Sequence, residues 1–184
     1  MRYRSIQYAD DDTNTIARLL RLRIPSLAIG LFLGISLSFV TSRFEEVLSK
    51  NIQVAFFIPF IVYMADAVGT QTQSIYVRDL KTGHASFRKY LAKESCIGII
   101  LGAMTATVSG LVAVLWLHSM DVTFAISFSV FVAVAVSPIV SLVIAEILEL
   151  EHSDPAVGAG PIATVIQDTL SVLIYGLIAS AILL

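Results

Sequence analysis

Five long apolar blocks leave this chain few ways to fold. They cover about residues 24–41, 52–80, 95–117, 122–148 and 159–184. A helix needs about twenty mostly apolar residues to cross a bilayer, and each block is close to that length or beyond it. Composition agrees, with 57% of the 184 residues hydrophobic and 14% charged, well outside the balance of a soluble domain. The expected fold class is an all-α polytopic membrane protein with five transmembrane helices and no room for a second soluble domain. Residues 1–23 read as a cytosolic tail and residues 24–184 as one membrane domain.

Local signals refine that outline. Met1 to Asn14 are polar, with Asp10, Asp11 and Asp12 as a solvated acidic run. Such a start is not a cleavable signal peptide, so the first span does the targeting. Thr13 or Asn14 can cap a short helix over Thr15 to Arg23. Its alternation of Ile16, Leu19 and Leu20 with Arg18, Arg21 and Arg23 suits a membrane surface. Pro25 fits the first turn of the next helix. Gly30 and Gly34 give span one a small face for close packing. Span two, with Pro59 and Gly69 inside it, is longer than a bilayer needs and is expected to tilt, kink or extend. Span three carries Gly98, Gly102 and Gly110 and ends at Trp116 and His118 near an interface. Ser137, Pro138 and Ser141 predict a kink in span four. Cys96, the single cysteine, excludes an internal disulfide and reads as packing.

Basic residues set the orientation. With the N-terminus inside, ten of the twelve Lys and Arg lie on the cytosolic side, Arg43 and Lys50 being the other two. The expected topology is N-terminus cytosolic and C-terminus outside, in the cell (plasma) membrane. The last cytosolic connector departs from the basic pattern, carrying Glu146, Glu149, Glu151, His152 and Asp154. Acids do little to orient a membrane protein, which leaves these carboxylates free to bind cations.

Two acids stand out as membrane-embedded, away from the span ends. Asp168 sits in span five on a polar stripe with Pro161, Thr164, Ser171 and Tyr175, spaced by three and four residues so that they share a face. Asp66 shares a face of span two with Gly69, Thr70 and Gln73. A carboxylate at that depth faces a partner or a water-filled path. One stripe with a lone acid reads as the wall of a cation path, and a protonated Asp168 bonded to a neighbouring helix is the structural alternative. Oxygen ligands without a His, Cys or Met cluster favour hard cations such as Mg²⁺, Ca²⁺ or Mn²⁺. Five helices are few to enclose such a path, and one carboxylate is weak neutralisation for a divalent ion. A two-fold homodimer with the pore on its axis answers both points. No phosphate loop or nucleophile–base pair supports an enzyme, and no aromatic interleaving of the basic residues suggests nucleic acid; those residues suit anionic membrane lipids.

Several stretches together resemble the membrane domain of the MgtE-type magnesium channel/transporter family. They are Phe44-Glu45 with Ala55-Phe56-Phe57-Ile58-Pro59, then Gly69-Thr70-Gln71 leading to Val77-Arg78-Asp79-Leu80-Lys81-Thr82-Gly83. Lys93-Glu94 with Gly98 and Gly102 follows, and then Asp154-Pro155-Ala156, Gly160-Pro161, Thr164 and Asp168. The resemblance implies a homodimeric Mg²⁺ pathway lined by spans two and five. It puts Asp168 at the central site, holding hydrated Mg²⁺ through its water shell, with Asp154 near the inner mouth. Glu45 is carried over with either a structural or an ion-linked role. Mg²⁺ is the transported ion and a candidate regulator.

Departures from the family pattern sharpen the expectations. Typical members carry a cytosolic part with paired CBS domains, whereas this chain begins almost directly at the membrane domain. A separate cytosolic CBS-domain regulator is one expected partner. The Gly-Gly-Asn pattern before Gly69 reads Ala65-Asp66-Ala67, so Asp66 adds a carboxylate where the family has none. Glu146, Glu149, Glu151 and Asp154, doubled in a dimer, form a candidate Mg²⁺ sensor at the inner mouth. Competing readings are a transporter of Mn²⁺ or Co²⁺, and a non-conducting membrane subunit that needs a separate regulatory partner.

Overall fold

The computed structural model describes residues 12–83, 85–150 and 160–184. Glu151 and Asp154 lie outside the described residues, as do the side chains of Glu149 and Pro161. The described residues form seven helices and no strand. These are α1 (Ile16–Ser42), α2 (Glu45–Lys50), α3 (Ile52–Ala55), α4 (Ile58–Lys81), α5 (Phe87–Leu117), α6 (Met120–Leu150) and α7 (Gly160–Leu183). Five segments are long and apolar enough to cross a membrane, the second being α3 and α4 together, Ile52–Lys81.

Three boundaries differ from those expected, each for a local reason. The short surface helix and span one are a single helix, which begins after Thr15 and passes through Pro25. Proline forfeits one backbone hydrogen bond, yet its fixed φ is helical, so a helix can continue past it. Span two, expected to tilt, kink or extend, is broken into α3 and α4 at Phe56–Phe57, and Pro59 stands in the first turn of α4. There its missing N–H falls among donors that lack an intrahelical partner anyway. Span three begins eight residues earlier than hydropathy suggests, at Phe87 rather than Ser95. Phe87, Tyr90 and Leu91 pack on Tyr76, Leu142 and Ala145, while Arg88, Lys89 and Lys93 stay exposed. An amphipathic extension keeps the helical period and lowers mean hydropathy, so a hydropathy reading stops short of it.

The centre of the helix bundle is α6, which packs against α4, α5 and α7. Its most apolar window is 56% buried, against 6% for α1, which makes α6 the internal post and α1 the outermost helix. Glycines bring α5 onto it. A Cβ at Gly98 would lie 2.5 Å from the Ala135 carbonyl oxygen, and one at Gly102 2.8 Å from that of Phe131. Small residues admit this backbone approach where lipid supplies no hydrophobic drive between helices. By contrast, α1 packs mainly on α7, and a Cβ at Gly34 would meet nothing within 4 Å among the described residues. Leu27, Leu31, Phe32, Ile35 and Phe39 are exposed along it, as suits a helix with a lipid-facing side.

The end of the molecule opposite the basic residues is closed by aromatic packing. Phe56 stacks on Trp116 with ring centroids 5.8 Å apart, and Phe57 meets the same indole at 6.0 Å. His118 ends α5 in the left-handed conformation (φ 54°). The short turn there returns the chain directly into α6.

Candidate functional site

Asp66 and Asp168 stand on α4 and α7, two helices that pack against each other. Both are half-buried. Asp168 Oδ1 is buried and has no hydrogen-bond partner among the described residues; Thr123 Oγ1 is the other such side-chain atom. Neither acid forms an ion pair with a Lys, Arg or His among the described residues. A carboxylate with a buried, unpartnered oxygen is costly in a low-dielectric interior unless a proton, water or cation joins it.

The rest of the α7 stripe divides. Thr164 is half-buried like Asp168, but Ser171 and Tyr175 turn into the protein. Ser171 Oγ donates to the Gln167 carbonyl at 2.8 Å. The Tyr175 hydroxyl donates to the Val54 carbonyl at 2.6 Å, fastening α7 to α3. On α4, Thr70 is exposed and Gln73 half-buried, whereas Gly69 is buried against Ser137, Ser141 and Gln167. The α4 face set by spacing therefore spans an open side and a packed side.

Glu45 is exposed at the start of α2, on a groove of about 550 Å³ shared with Ser38, Thr41, Ser42, Leu48, Ser49 and Ile52. The hydroxyls of Thr41, Ser42 and Ser49 donate to carbonyls of their own helices. That groove offers a cation one carboxylate. At the other end of the molecule, Glu146 is half-buried and accepts a hydrogen bond from the Tyr76 hydroxyl. Glu146 was expected in the last connector but lies within α6, which runs to Leu150, so this bond ties α6 to α4.

Sequence reasoning missed a set of acids near the basic end of α4. Glu94, only 7% exposed, accepts from Thr72 Oγ1 at 2.7 Å. Asp79 accepts from the Tyr90 hydroxyl and, at 3.1 Å, from Arg78 Nε. A signal for Glu94 was available, since it precedes Gly98 and Gly102 at four-residue spacing and shares their close-packed face. Gln167 was missed as well; an amide in the middle of an apolar span is its own signal.

Residues 58–178, well over half of the chain, match the family model MgtE, described as a divalent cation transporter. The chain belongs to that family. It is 29% identical over 162 residues to the magnesium transporter MgtE of Bacillus subtilis (strain 168), covering 86% of this chain and 36% of that protein. It is 32% identical over 161 residues to the magnesium transporter MgtE of Enterococcus faecalis, again covering 86% and 36%. To the magnesium transporter MgtE of Thermus thermophilus it is 24% identical, covering 83% and 34%. The chain thus spans about a third of the length of these MgtE relatives. With its five apolar helices, it is a multi-pass protein of the plasma membrane. The MgtE match contains Asp66, Glu94, Glu146, Gln167 and Asp168, and leaves Glu45 outside.

Proposed function

We propose that the chain carries Mg²⁺ across the plasma membrane along a path lined by α4 and α7, with Asp168 at its centre. The observation that carries this reading is the buried Oδ1 of Asp168, which has no partner among the described residues. Mg²⁺ dehydrates reluctantly, so Asp168 holds it through coordinated water, and the water shell supplies the donors that the protein withholds. A homodimer about a two-fold axis brings a second Asp66–Asp168 pair to the path. The basic end faces the cytosol and the C-terminus lies outside. An inside-negative potential then draws the divalent ion inward without a coupling ion.

Asp66 also favours a second reading, in which Mn²⁺ or Co²⁺ is carried. An added carboxylate rewards ions that give up water more readily than Mg²⁺ does. At the cytosolic end, Glu146, Glu149, Glu151 and Asp154 sense internal Mg²⁺, with Glu146 linked to α4 through Tyr76. Neutralising all four is expected to abolish inhibition by internal Mg²⁺; unchanged inhibition would contradict the sensor.

The test is Mg²⁺ uptake into liposomes holding the purified chain, with Mn²⁺, Co²⁺ and Ca²⁺ as competitors. Uptake that the competitors reduce only weakly supports the Mg²⁺ reading. Stronger flux of Mn²⁺ or Co²⁺ supports the second. No flux of any of these ions contradicts both and favours a subunit that conducts only with a regulatory partner.

A further inference from the structure

Two serines one turn apart on α6 each contact the residue that precedes one of the two membrane acids. Ser137 Oγ donates to the carbonyl of Ala65, next to Asp66. Ser141 Oγ faces Oε1 of Gln167, next to Asp168, in a loose polar contact at 3.4 Å, longer than the about 2.5–3.0 Å of a firm O–H···O bond. Ala65, Ser137, Ser141 and Gln167 are all buried, none more than 3% exposed. Gly69 makes the space for this arrangement. A Cβ there would lie 2.3 Å from Ser141 Oγ, 2.7 Å from Ser137 Oγ and 3.4 Å from Gln167 Oε1.

Successive residues on a helix are turned by about 100° from one another. Pinning the residue before an acid therefore fixes the direction in which the acid points. Ser137 acts on the backbone of α4 and Ser141 on a side chain of α7, so one stretch of α6 references the rotation of both acid-bearing helices. The neighbouring turn adds to it, because Ser171 binds the Gln167 carbonyl from within α7.

We propose that Ser137, Ser141 and Gln167, admitted by Gly69, are positioning residues that set the rotation of α4 and α7 and so aim Asp66 and Asp168 into one opening. This rests on the reading of Asp168 as part of a cation path. None of the four touches the ion; they act through the two acids. Polar contact from α6 to both helices makes the mutual orientation of the acids a property of the subunit, established before any second subunit contributes.

The test reads the direction of residue 168 without relying on transport. The whole chain is reconstituted in liposomes with Cys96, which is exposed, replaced by Ser, and with Asp168→Cys as the reporter. The rate of its modification by a charged, water-soluble methanethiosulfonate is then compared with and without Gln167→Ala or Ser141→Ala. A change of about tenfold per folded protein in either variant, at an unchanged melting temperature, supports the brace. Ser141→Ala removes a single oxygen and supplies the reading if Gln167→Ala does not fold. Equal rates overturn the brace and leave the path intact. A reporter thiol that resists the reagent from both sides of the membrane, with Ser141 and Gln167 unchanged, overturns the water-filled path and the brace with it.

Discussion

The two halves of α7 treat polar groups in opposite ways. Beyond Ser171 the helix is packed and satisfied. Tyr175 gives its hydroxyl to Val54, and Gly176 lies so close to Phe44 that a Cβ would fall 2.3 Å from the ring. Ala179 is fully buried. One turn before that half, Asp168 keeps a buried oxygen without a partner among the described residues, while the adjacent Gln167 contacts Ser141. This fold can find partners for buried polar groups, so the bare oxygen of Asp168 is not a sign of loose packing. Buried polar groups are as a rule satisfied, Thr123 Oγ1 being the other exception among the described residues; an acid in a cation path has to keep a coordination position open.

Substitutions in the packed half and at the bonded acids sharpen that contrast. The largest loss of stability is expected from Gly176→Val, which drives a branched side chain into the Phe44 ring. Overpacking of this kind costs up to about 3 kcal/mol, visible as a lower melting temperature in detergent, with flux per folded protein preserved. Thr72→Val comes next. It removes the donor from Glu94 and creates a second buried carboxylate without that partner, at a cost of about 2 kcal/mol. A variant as stable as the wild type would mean that this fold tolerates bare acids generally, and the contrast would fail. Tyr175→Phe strips the Val54 carbonyl of its partner and is expected to cost about 1 kcal/mol, again without changing flux per folded protein.

The smallest effect is expected at the exposed pair Glu46–Lys50, whose side chains are 67% and 59% accessible. The hydrogen bond and charge of Lys50 hold the Glu46 carboxyl below its ordinary value of 4.5. A depressed folded-state pKa contributes stability above that ordinary value and loses it as pH falls through the lowered one. Solvent screens such a pair. Lys50→Ala is therefore expected to melt like the wild type at neutral pH, with any difference in pH dependence confined to acid conditions.

Much of this molecule was legible in its hydropathy. Five spans follow from block length, and Asp66 and Asp168 stand out because acids are rare at that depth. Chain breaks and close contacts were harder to read. Pro59 marks the break before α4, but the adjoining residues are apolar, so the block looks continuous. The α7 stripe was found by its period, yet periodicity alone does not tell which neighbour each residue meets. Ser171 and Tyr175 share the Asp168 face and still bond inward, because Gln167 and Val54 are there to receive them. Gln167 and Glu94 escaped notice for the opposite reason: each is a single polar residue on a packed face, and its partner lies on another helix. Such partners are fixed by tertiary approach, which Gly69, Gly98 and Gly102 permit.

The most direct test is Mg²⁺ flux in liposomes for Asp168→Asn and Asp168→Ala beside Tyr175→Phe, each normalised to folded protein. The expected result is a fall of at least about tenfold, ~1.4 kcal/mol in the barrier, for both Asp168 variants. Their melting temperature should stay level or rise, and Tyr175→Phe should conduct like the wild type. Wild-type flux in the Asp168 variants, or an equal fall in all three, would contradict a coordination position held open at Asp168.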